Sequence, residues 1–420
     1  MIIERIAYIS KLITSKDTHN VKIITGIRRV GKSTLLEQYK EKIINTFSIS
    51  KKQIIEYDLN DKIILKSLTW EKLVKEVRNN VILNKNNYLF IDEVQELKDF
   101  HKAIITLFED KNINLDIYLT GSNSKMLSSE LGTYFTGRHR DILLLPITYK
   151  EIYDNIWPDK DKIESLNKYL MLGGLGKIIP FINNEDEVKE EIKNIFEDSI
   201  YKDIFNKHKI RDKNSFLKTV KYIFYCVGNK FSIQKVSNYF KSNEKNNTAH
   251  TTIKKYLDWM QEAHLICKIE YFDIRGKKIL KTSPKYYAGD LGILSYSQDF
   301  KNINYGYKLE NLVYLELLKR YDKVYTHISK QGIEVDFLCY KNGEITYFQV
   351  TQNLIDESES NSNWDREVKN LEKIKDSNKK IILTLNLSNT VLDSGIKIIN
   401  LYDWLLNEKY SHHKFPPHEI

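Results

Sequence analysis

The 420-residue sequence predicts an α/β protein that begins with a nucleotide-binding P-loop domain and continues into a second α/β domain. Three observations support this prediction. A β-branched run leads into a glycine-rich loop and a helix at residues 21–44, and an apolar run at residues 86–97 ends in two acids. Strand and helix patterns alternate again after residue 306. A chain of this length is expected to hold two or three domains.

Composition excludes several classes of protein. Hydrophobic residues make up 41% of the chain, Gly and Pro are few, and Tyr is frequent, which is typical of a globular protein. No apolar run approaches the roughly 18 residues that span a membrane, and the first residues lack the apolar core of a signal peptide. Cys226, Cys267 and Cys339 lack the spacing of a zinc site or a disulfide framework. We therefore expect a cytoplasmic protein with no membrane partner.

Charge is distributed unevenly along the chain. The net charge is +9, and residues 201–290 hold 19 Lys and Arg against 8 Asp and Glu. Such a basic region favours a polyanionic partner, DNA or RNA. A genome biased towards Lys and Asn codons would produce the same surplus, so charge alone leaves both explanations open.

The segment GIRRVGKST joins the first predicted strand to the first long helix and matches the P-loop pattern GxxxxGK[ST]. Its glycines allow a tight turn in which backbone N–H groups face phosphates at a helix N-terminus. We expect Lys32 to reach the β- and γ-phosphates of ATP, Ser33 to bind Mg²⁺, and Thr34 to lie beside the α-phosphate. The predicted nucleotide-binding residues are Gly26, Ile27, Arg28, Arg29, Val30, Gly31, Lys32, Ser33 and Thr34.

A second strand, in NNYLFIDEVQEL, is expected to supply the acids of the site. Asp92 would hold Mg²⁺, and Glu93 would orient or deprotonate the attacking water. An apolar run that ends in two acids is common in buried strands. Downstream of a P-loop, however, the pattern indicates the acidic half of a nucleotide site.

Further candidates follow the next two strands. Asn123, or else Ser122, ends the strand of LDIYLTGSNS and would sense the γ-phosphate, although either side chain would equally cap the following helix. Arg138 and Arg140 precede the apolar run DILLLP. Either would reach a neighbouring subunit's γ-phosphate if the chain forms a homo-oligomer, and otherwise each is an exposed loop residue.

The string from GIRRVGKST through LFIDEVQ and TGSNS to GRHRDILLLPITYKEI resembles a family of bacterial and archaeal AAA-type ATPases. Those chains carry a C-terminal domain of unknown function that looks like a restriction endonuclease. Their pattern Tyr-Leu-x-x-Gly-Gly is matched by YLMLGGLGK at residues 169–177, and SIYKDI, with Tyr201–Asp203, matches a further motif of no assigned role. The resemblance implies ATP hydrolysis with Mg²⁺ by a core at residues 1–152, covered by a helical lid at residues 153–208.

Residues 209–284 predict a winged-helix domain, because three helical patterns precede a two-stranded pattern, a combination also found in the family. The helix in HTTIKKYLDWMQEAHL would then be the recognition element, and the basic strands YFDIRGKK and KILKTSPKYY would form the wing. Such a domain serves equally well as a protein-packing module. The candidate nucleic-acid contacts are Thr251, Thr252, Lys254, Lys255, Arg275, Lys277 and Lys278.

Residues 285–420 resemble a restriction-endonuclease-like core, with helix, strand, hairpin, strand, helix and strand in that order. Glu310, Asp336 and Gln349 stand where oxygen ligands for a metal are expected. Thr351 replaces the lysine that such a nuclease requires, unless Lys308 or Lys330 moves in from a neighbouring element. We expect a degenerate binding domain, and residual or relocated cleavage is the alternative.

These patterns together predict an ATPase whose nucleotide state is coupled to a C-terminal half that binds nucleic acid. Two other functions fit the same sequence. The first is an ATP-dependent switch that acts through protein–protein contacts, and the second is an ATP-gated DNA nuclease.

Overall fold

The structure is a computed structural model with one large β-sheet in each half of the chain. It describes residues 2–122, 135, 137–210, 212–244, 250–273, 278–280, 283–301, 304–328, 333–355 and 363–407. None of the helices in these ranges is long and apolar enough to cross a bilayer. One hydrophobic core runs from the first helix through the helical middle of the chain to the last helix, so the two halves pack against each other.

The N-terminal half is built on a parallel sheet with the strand order β2-β3-β4-β1-β5. Helices cover both faces, and the residues of β1 are buried throughout, as expected for a central parallel strand. Because the strands are parallel, the carboxyl ends of β1, β3 and β4 meet at one edge. The elements are α1 (Ile6–Thr14), β1 (Val21–Thr25), α2 (Lys32–Phe47), β2 (Ile54–Asp58), α3 (Lys62–Ser67), α4 (Trp70–Asn80), β3 (Asn86–Asp92), α5 (Phe100–Phe108), β4 (Asn114–Gly121) and β5 (His139–Leu143).

The middle of the chain is helical, as its apolar spacing predicts. Short polar side chains begin most of these helices, for example Thr148, which forms a capping box with Glu151. A π-helical turn at Ser199–Phe205 extends the third of them. The elements are α6 (Tyr149–Ile156), α7 (Lys162–Leu172), the 3₁₀ turn Gly176–Phe181, α8 (Glu185–Asp198), α9 (Lys213–Tyr225), α10 (Ile233–Glu244) and α11 (His250–Glu262).

The glycine pair of YLMLGGLGK lies where three segments meet. A Cβ on Gly173 would stand 2.4 Å from a carboxylate oxygen of Asp290, and one on Gly174 would stand 2.0 Å from the carbonyl oxygen of Ile147. Asp290 in turn accepts a hydrogen bond of 2.9 Å from the Gly174 N–H. A larger side chain at either glycine would push these backbones apart.

The C-terminal half contains a mixed sheet with the strand order β14-β15-β13-β12-β11-β10-β7-β8. Its hairpin turns at Asn342 and Gly343, whose φ angles of 49° and 83° suit the predicted two-residue turn. The elements are β6 (Ile266–Ile269), β7 (Tyr271–Asp273), β8 (Lys278–Ile279), β9 (Lys285–Ala288), α12 (Leu291–Ser297), α13 (Tyr305–Arg320), β10 (Lys323–Ile328), β11 (Glu334–Lys341), β12 (Glu344–Thr351), the π-helical turn Asp365–Lys369, α14 (Asn370–Glu372), β13 (Lys379–Thr384), β14 (Thr390–Val391), β15 (Lys397–Asn400) and α15 (Leu401–Leu406).

The strands of the predicted wing pair only in part with each other. β7 and β8 form an antiparallel pair that extends the large sheet, with β7 beside β10, whereas β9 pairs with β6 in a sheet of two strands. The physical reason is that β10 would otherwise leave a row of backbone N–H and C=O groups unpaired at the sheet edge. The predicted wing segment is therefore divided between two sheets.

Candidate active site

The loop between β1 and α2 has the conformation that the P-loop pattern predicts. Gly31 caps α2 with a φ of 106°, which lies in the region that favours glycine. A Cβ on Gly26 would stand 2.5 Å from the carbonyl oxygen of Leu144, so only glycine fits there. The N-terminal N–H groups of α2 then face the space above the loop, which suits an anion.

Lys32 is buried above this loop. Its Nζ donates to the carbonyl oxygen of Gly26 at 3.2 Å and lies 3.7 Å from a carboxylate oxygen of Glu93. Burial lowers the pKa of Lys32, and the negative charge of Glu93 opposes that shift. The ammonium is thus placed between the phosphate-binding loop and the acidic end of β3.

Ser33 and Asp92 meet where Mg²⁺ is expected. The Ser33 hydroxyl donates to an oxygen of Asp92 at 2.6 Å, and the Thr120 hydroxyl donates to the other oxygen. Burial raises the pKa of Asp92, while these two hydrogen bonds lower it. A hydroxyl and a carboxylate are oxygen ligands of the kind Mg²⁺ prefers, so the residues present fit this cation.

Glu93 follows Asp92 in a left-handed conformation with a φ of 51°. Its N–H donates to the Thr120 hydroxyl at 3.0 Å, and its carboxylate accepts a hydrogen bond from Gln95. Unusual backbone conformations of this kind cluster at functional sites. The sequence had not indicated Thr120, which fixes both acids from the neighbouring strand β4.

Ser122, just beyond β4, is the described member of the predicted sensor pair. It is buried, and its hydroxyl donates to a carboxylate oxygen of Asp203 at 3.0 Å. Asn123 lies outside the described residues. Ser122 therefore has a partner that no motif predicts.

Asp203 lies in the π-helical turn of the SIYKDI segment and contacts the P-loop. Its carboxylate accepts two hydrogen bonds from Arg28, of 2.8 and 2.7 Å. Burial raises the pKa of Asp203, but the hydrogen bonds and charge of Arg28 outweigh it, so the pKa is lowered overall. The motif was visible in the sequence, but its partner lies 175 residues away.

The imidazole of His264 is a second side chain that lies near Lys32 and Asp203. Its Nε2 atom is buried and, among the residues described, has no hydrogen-bond partner. Burial, and then the positive charge of Lys32, lower the pKa of His264 to about 4, so the ring is neutral near pH 7. No sequence signal indicated this residue.

Arg138 and Arg140 lie far from the P-loop of their own chain. Arg140 pairs with Lys22 at the start of β1, whereas the P-loop begins after Thr25 at the other end of that strand. The Arg138 guanidinium packs 5.4 Å from the ring centre of Phe108. A finger that acts on a neighbouring subunit stays a prediction.

The helix predicted to contact nucleic acid has one buried and one exposed face. Its apolar residues face the core, while Thr251, Lys254 and Lys255 are exposed and Thr252 is half-buried. Lys278 is exposed on β8, and Arg275 and Lys277 lie outside the described residues. The structure thus keeps the candidate contacts on α11 together on one surface.

The predicted nuclease-like residues are close together, and Lys285 holds them. Gln349 accepts a hydrogen bond from the N–H of Asp336 at 3.3 Å. The Nζ of Lys285 lies 3.2 Å from Glu310, 3.9 Å from Asp336 and 2.8 Å from Glu334. Burial and the charge of Glu310 raise the pKa of Asp336, while Lys285 opposes the shift.

Lys285 lies on β9, whereas the sequence analysis considered Lys308 and Lys330 as replacements for the missing lysine. Lys308 donates to the Ser295 hydroxyl at 3.0 Å instead, so the expectation that it might replace the missing lysine is wrong. Lys330 lies outside the described residues. Within those residues, no group of three or more His, Cys, Asp or Glu side chains is arranged to hold a metal ion.

Two family models match the chain. Residues 18–153 match an AAA domain, and residues 163–303 match a domain of unknown function (DUF8612). The second match includes Asp203 and His264, which lie near the P-loop.

Two relatives and a solved structure are also similar to this chain. An uncharacterized protein of Haemophilus influenzae is 32% identical over 96% of this chain and 98% of its own length. An uncharacterized protein of Methanocaldococcus jannaschii is 30% identical over 87% of this chain and 80% of its own length. A Walker-type ATPase of Pyrococcus abyssi superposes with a TM-score of 0.51 over 71% of this chain and 96% of its own, at 17% identity, which shows a shared fold.

Proposed function

This chain has an AAA domain and belongs to one family with the uncharacterized Haemophilus influenzae and Methanocaldococcus jannaschii proteins, and from this premise we propose that it hydrolyses ATP with Mg²⁺. The observation that carries the proposal is the contact of Ser33 with Asp92 beside the pair of Lys32 and Glu93. These four side chains combine a phosphate-binding cation, a Mg²⁺ ligand pair and a base in one place.

Each residue has a separate role in the proposed reaction. Lys32 and the N-terminus of α2 bind the phosphates. Ser33 and Asp92 would hold Mg²⁺, which when bound neutralises negative charge on the phosphate oxygens. Glu93 orients the attacking water and accepts its proton, and Thr120 keeps Glu93 in position through the backbone hydrogen bond of 3.0 Å.

We further propose that the C-terminal half binds nucleic acid. The support is the surplus of positive charge between residues 201 and 290, together with the exposed Lys254 and Lys255 on α11. A helix that buries its apolar face and exposes threonine and lysine is able to contact phosphates or base edges. In this proposal, residues 209–284 form a winged helix and residues 285–420 form a nuclease-like domain.

A second candidate function is a switch that acts through protein contacts without nucleic acid. The buried contact between Asp203 and Arg28 favours it, because this contact links the P-loop to the domain of unknown function. Nucleic-acid cleavage is the third candidate, and the ammonium of Lys285 among Glu310, Glu334 and Asp336 argues against it.

One experiment separates these functions. ATP turnover is measured alone and with single-stranded DNA, double-stranded DNA and RNA at low salt. Stimulation by one nucleic acid supports the proposal, and equal turnover in all samples favours the protein switch. A filter-binding assay on the same samples adds the affinity, and no retention at low salt contradicts nucleic-acid binding.

A further inference from the structure

Asp203 is a point where the domain of unknown function contacts the phosphate-binding loop. Its side chain is buried, and it accepts two hydrogen bonds from Arg28 and one from Ser122. The ammonium of Lys207 lies 3.7 Å from one of its oxygens. The Asp203 carboxylate, from the domain of unknown function, is thus surrounded by two cations and a hydroxyl. Of these groups, the guanidinium of Arg28 and the hydroxyl of Ser122 belong to the AAA domain.

The groups around this carboxylate are those that a phosphate attracts. Arg28 lies within the P-loop, and Ser122 follows β4, the strand between the Walker strands β1 and β3. A guanidinium and a hydroxyl bind phosphate oxygens as readily as carboxylate oxygens. Lys32, the predicted phosphate ligand, is close enough that the negative charge of Asp203 opposes the lowering of its pKa by burial.

We propose that Asp203 is a specificity-determining residue of the nucleotide site, whose carboxylate competes with the terminal phosphate of ATP for Arg28 and Ser122. The inference rests on the proposed binding of ATP. ADP has no γ-phosphate and leaves the contact in place. ATP displaces Asp203, and the repulsion between the two negative groups moves the turn Ser199–Phe205. The domain of unknown function is then the part of the chain that responds to nucleotide state.

The segment at residues 176–177 also approaches the P-loop. The N–H of Lys177 donates to the carbonyl oxygen of Arg29 at 3.2 Å, and a Cβ on Gly176 would stand 3.0 Å from the carbonyl oxygen of Val30. The unpartnered Nε2 of His264 is buried near Lys32 and Asp203. The same domain thus contacts the loop through Asp203 and through residues 176–177, and a change at Asp203 is passed to it directly.

The test compares the binding of ATP and ADP by calorimetry in the wild-type protein and in Asp203→Asn. Asparagine keeps the shape of the side chain but removes the charge that repels the γ-phosphate. We expect the ratio of ATP affinity to ADP affinity to rise by about tenfold or more, as expected for the loss of one repulsion between nearby charges. Asp186→Asn is the matched control, because Asp186 is exposed in the first turn of α8, at the end of that helix away from Asp203, and its ratio should not change.

Failure of the proposed ATP binding and failure of the proposed role of Asp203 give different results. A wild-type protein that binds neither nucleotide contradicts the proposed function and the inference with it. A wild-type protein that binds ATP, with an unchanged ratio in Asp203→Asn, overturns the inference alone.

Hydrogen exchange provides a second measurement that needs no variant. The backbone amides of residues 199–205 in the wild-type protein should exchange faster with ATP than with ADP. Equal exchange in the two samples overturns the inference even if Asp203→Asn fails to fold.

Discussion

The ammonium of Lys285 lies 3.2 Å from the carboxylate of Glu310, at the position where the sequence predicts a metal. Both side chains are buried, and Asp336 and Gln349 complete the surroundings. An internal cation thus balances the acids that would otherwise require a divalent ion. This relationship explains why the cluster is stable without the lysine that Thr351 replaces.

Replacement of Lys285 by Met should therefore destabilise the protein. Breaking a buried ion pair by removing one partner costs about 3–5 kcal/mol, because the other charges are left uncompensated. We expect a loss of this size in the free energy of unfolding, measured by urea denaturation at pH 7.

Lys268→Met provides the control for this prediction. Lys268 pairs with Glu270 on the surface, and loss of an exposed pair costs about 0–1 kcal/mol. A loss in Lys285→Met no larger than that in Lys268→Met would show that Lys285 does not compensate the buried acids.

Glu93→Gln should bind ATP with the affinity of the wild type and hydrolyse it slowly. The amide keeps the hydrogen bond from Gln95 but cannot accept a proton from water, and loss of a general base reduces turnover by about 10²–10⁴-fold. Phosphate release and nucleotide binding are measured on the same preparation. Glu96→Gln, an exposed change in the same turn, should retain full turnover. Wild-type turnover in Glu93→Gln would assign the base to another residue.

The sequence pattern predicts some residues of the nucleotide site but not others. Lys32, Ser33, Asp92 and Glu93 were predicted because a short spacing and two strand ends suffice to define them. Thr120 was missed because a threonine near the end of a buried strand is common. The local pattern carries no information about which carboxylate oxygen it will contact.

Sequence spacing did not predict contacts between residues that are distant along the chain. Asp203 lies 175 residues from Arg28, and Lys285 lies 25 residues from Glu310 on a different element. Their pairing depends on how the helical middle packs against each sheet. In the C-terminal half, β7 and β8 joined the large sheet because pairing at an edge depends on tertiary packing.

Reversal of charge at Lys254 and Lys255 should weaken nucleic-acid binding. Each phosphate contact contributes about 0.9 to the slope of log affinity against log salt concentration, so the double change to Glu should lower that slope by about 2. The measurement is fluorescence anisotropy with a labelled duplex over a salt series. Lys72→Glu with Lys75→Glu on α4 gives the same change in net charge on another exposed helix. An equal loss in both double variants would indicate a general charge effect instead of a contact on α11.

Glu151 connects three parts of the chain, and its replacement by Gln should give a pH-dependent loss of stability. Its carboxylate lies 3.4 Å from Arg5 and 3.5 Å from Lys319, and it accepts a hydrogen bond of 2.8 Å from the Thr148 N–H. Burial raises the pKa of Glu151, but these partners outweigh it and lower the pKa from 4.5 to about 2.

The direction of the pH effect follows from this shift. The folded state binds the Glu151 proton more weakly than the unfolded state, so the stabilisation is complete above the ordinary pKa of 4.5 and is lost as pH falls through about 2. A shift of this size corresponds to about 3 kcal/mol. Glu151→Gln should therefore lose about 3 kcal/mol at pH 7, and the difference from the wild type should shrink between pH 4.5 and pH 2.

Urea denaturation of both proteins across this pH range checks the prediction. Glu164→Gln serves as the control, because Glu164 is exposed and pairs at 2.8 Å with Lys160, which lies just before α7. Its difference from the wild type should be small and nearly constant with pH, since an exposed pair contributes little. A loss in Glu151→Gln that stays constant as pH falls would mean that shape, and not the charge of the carboxylate, holds the three segments together.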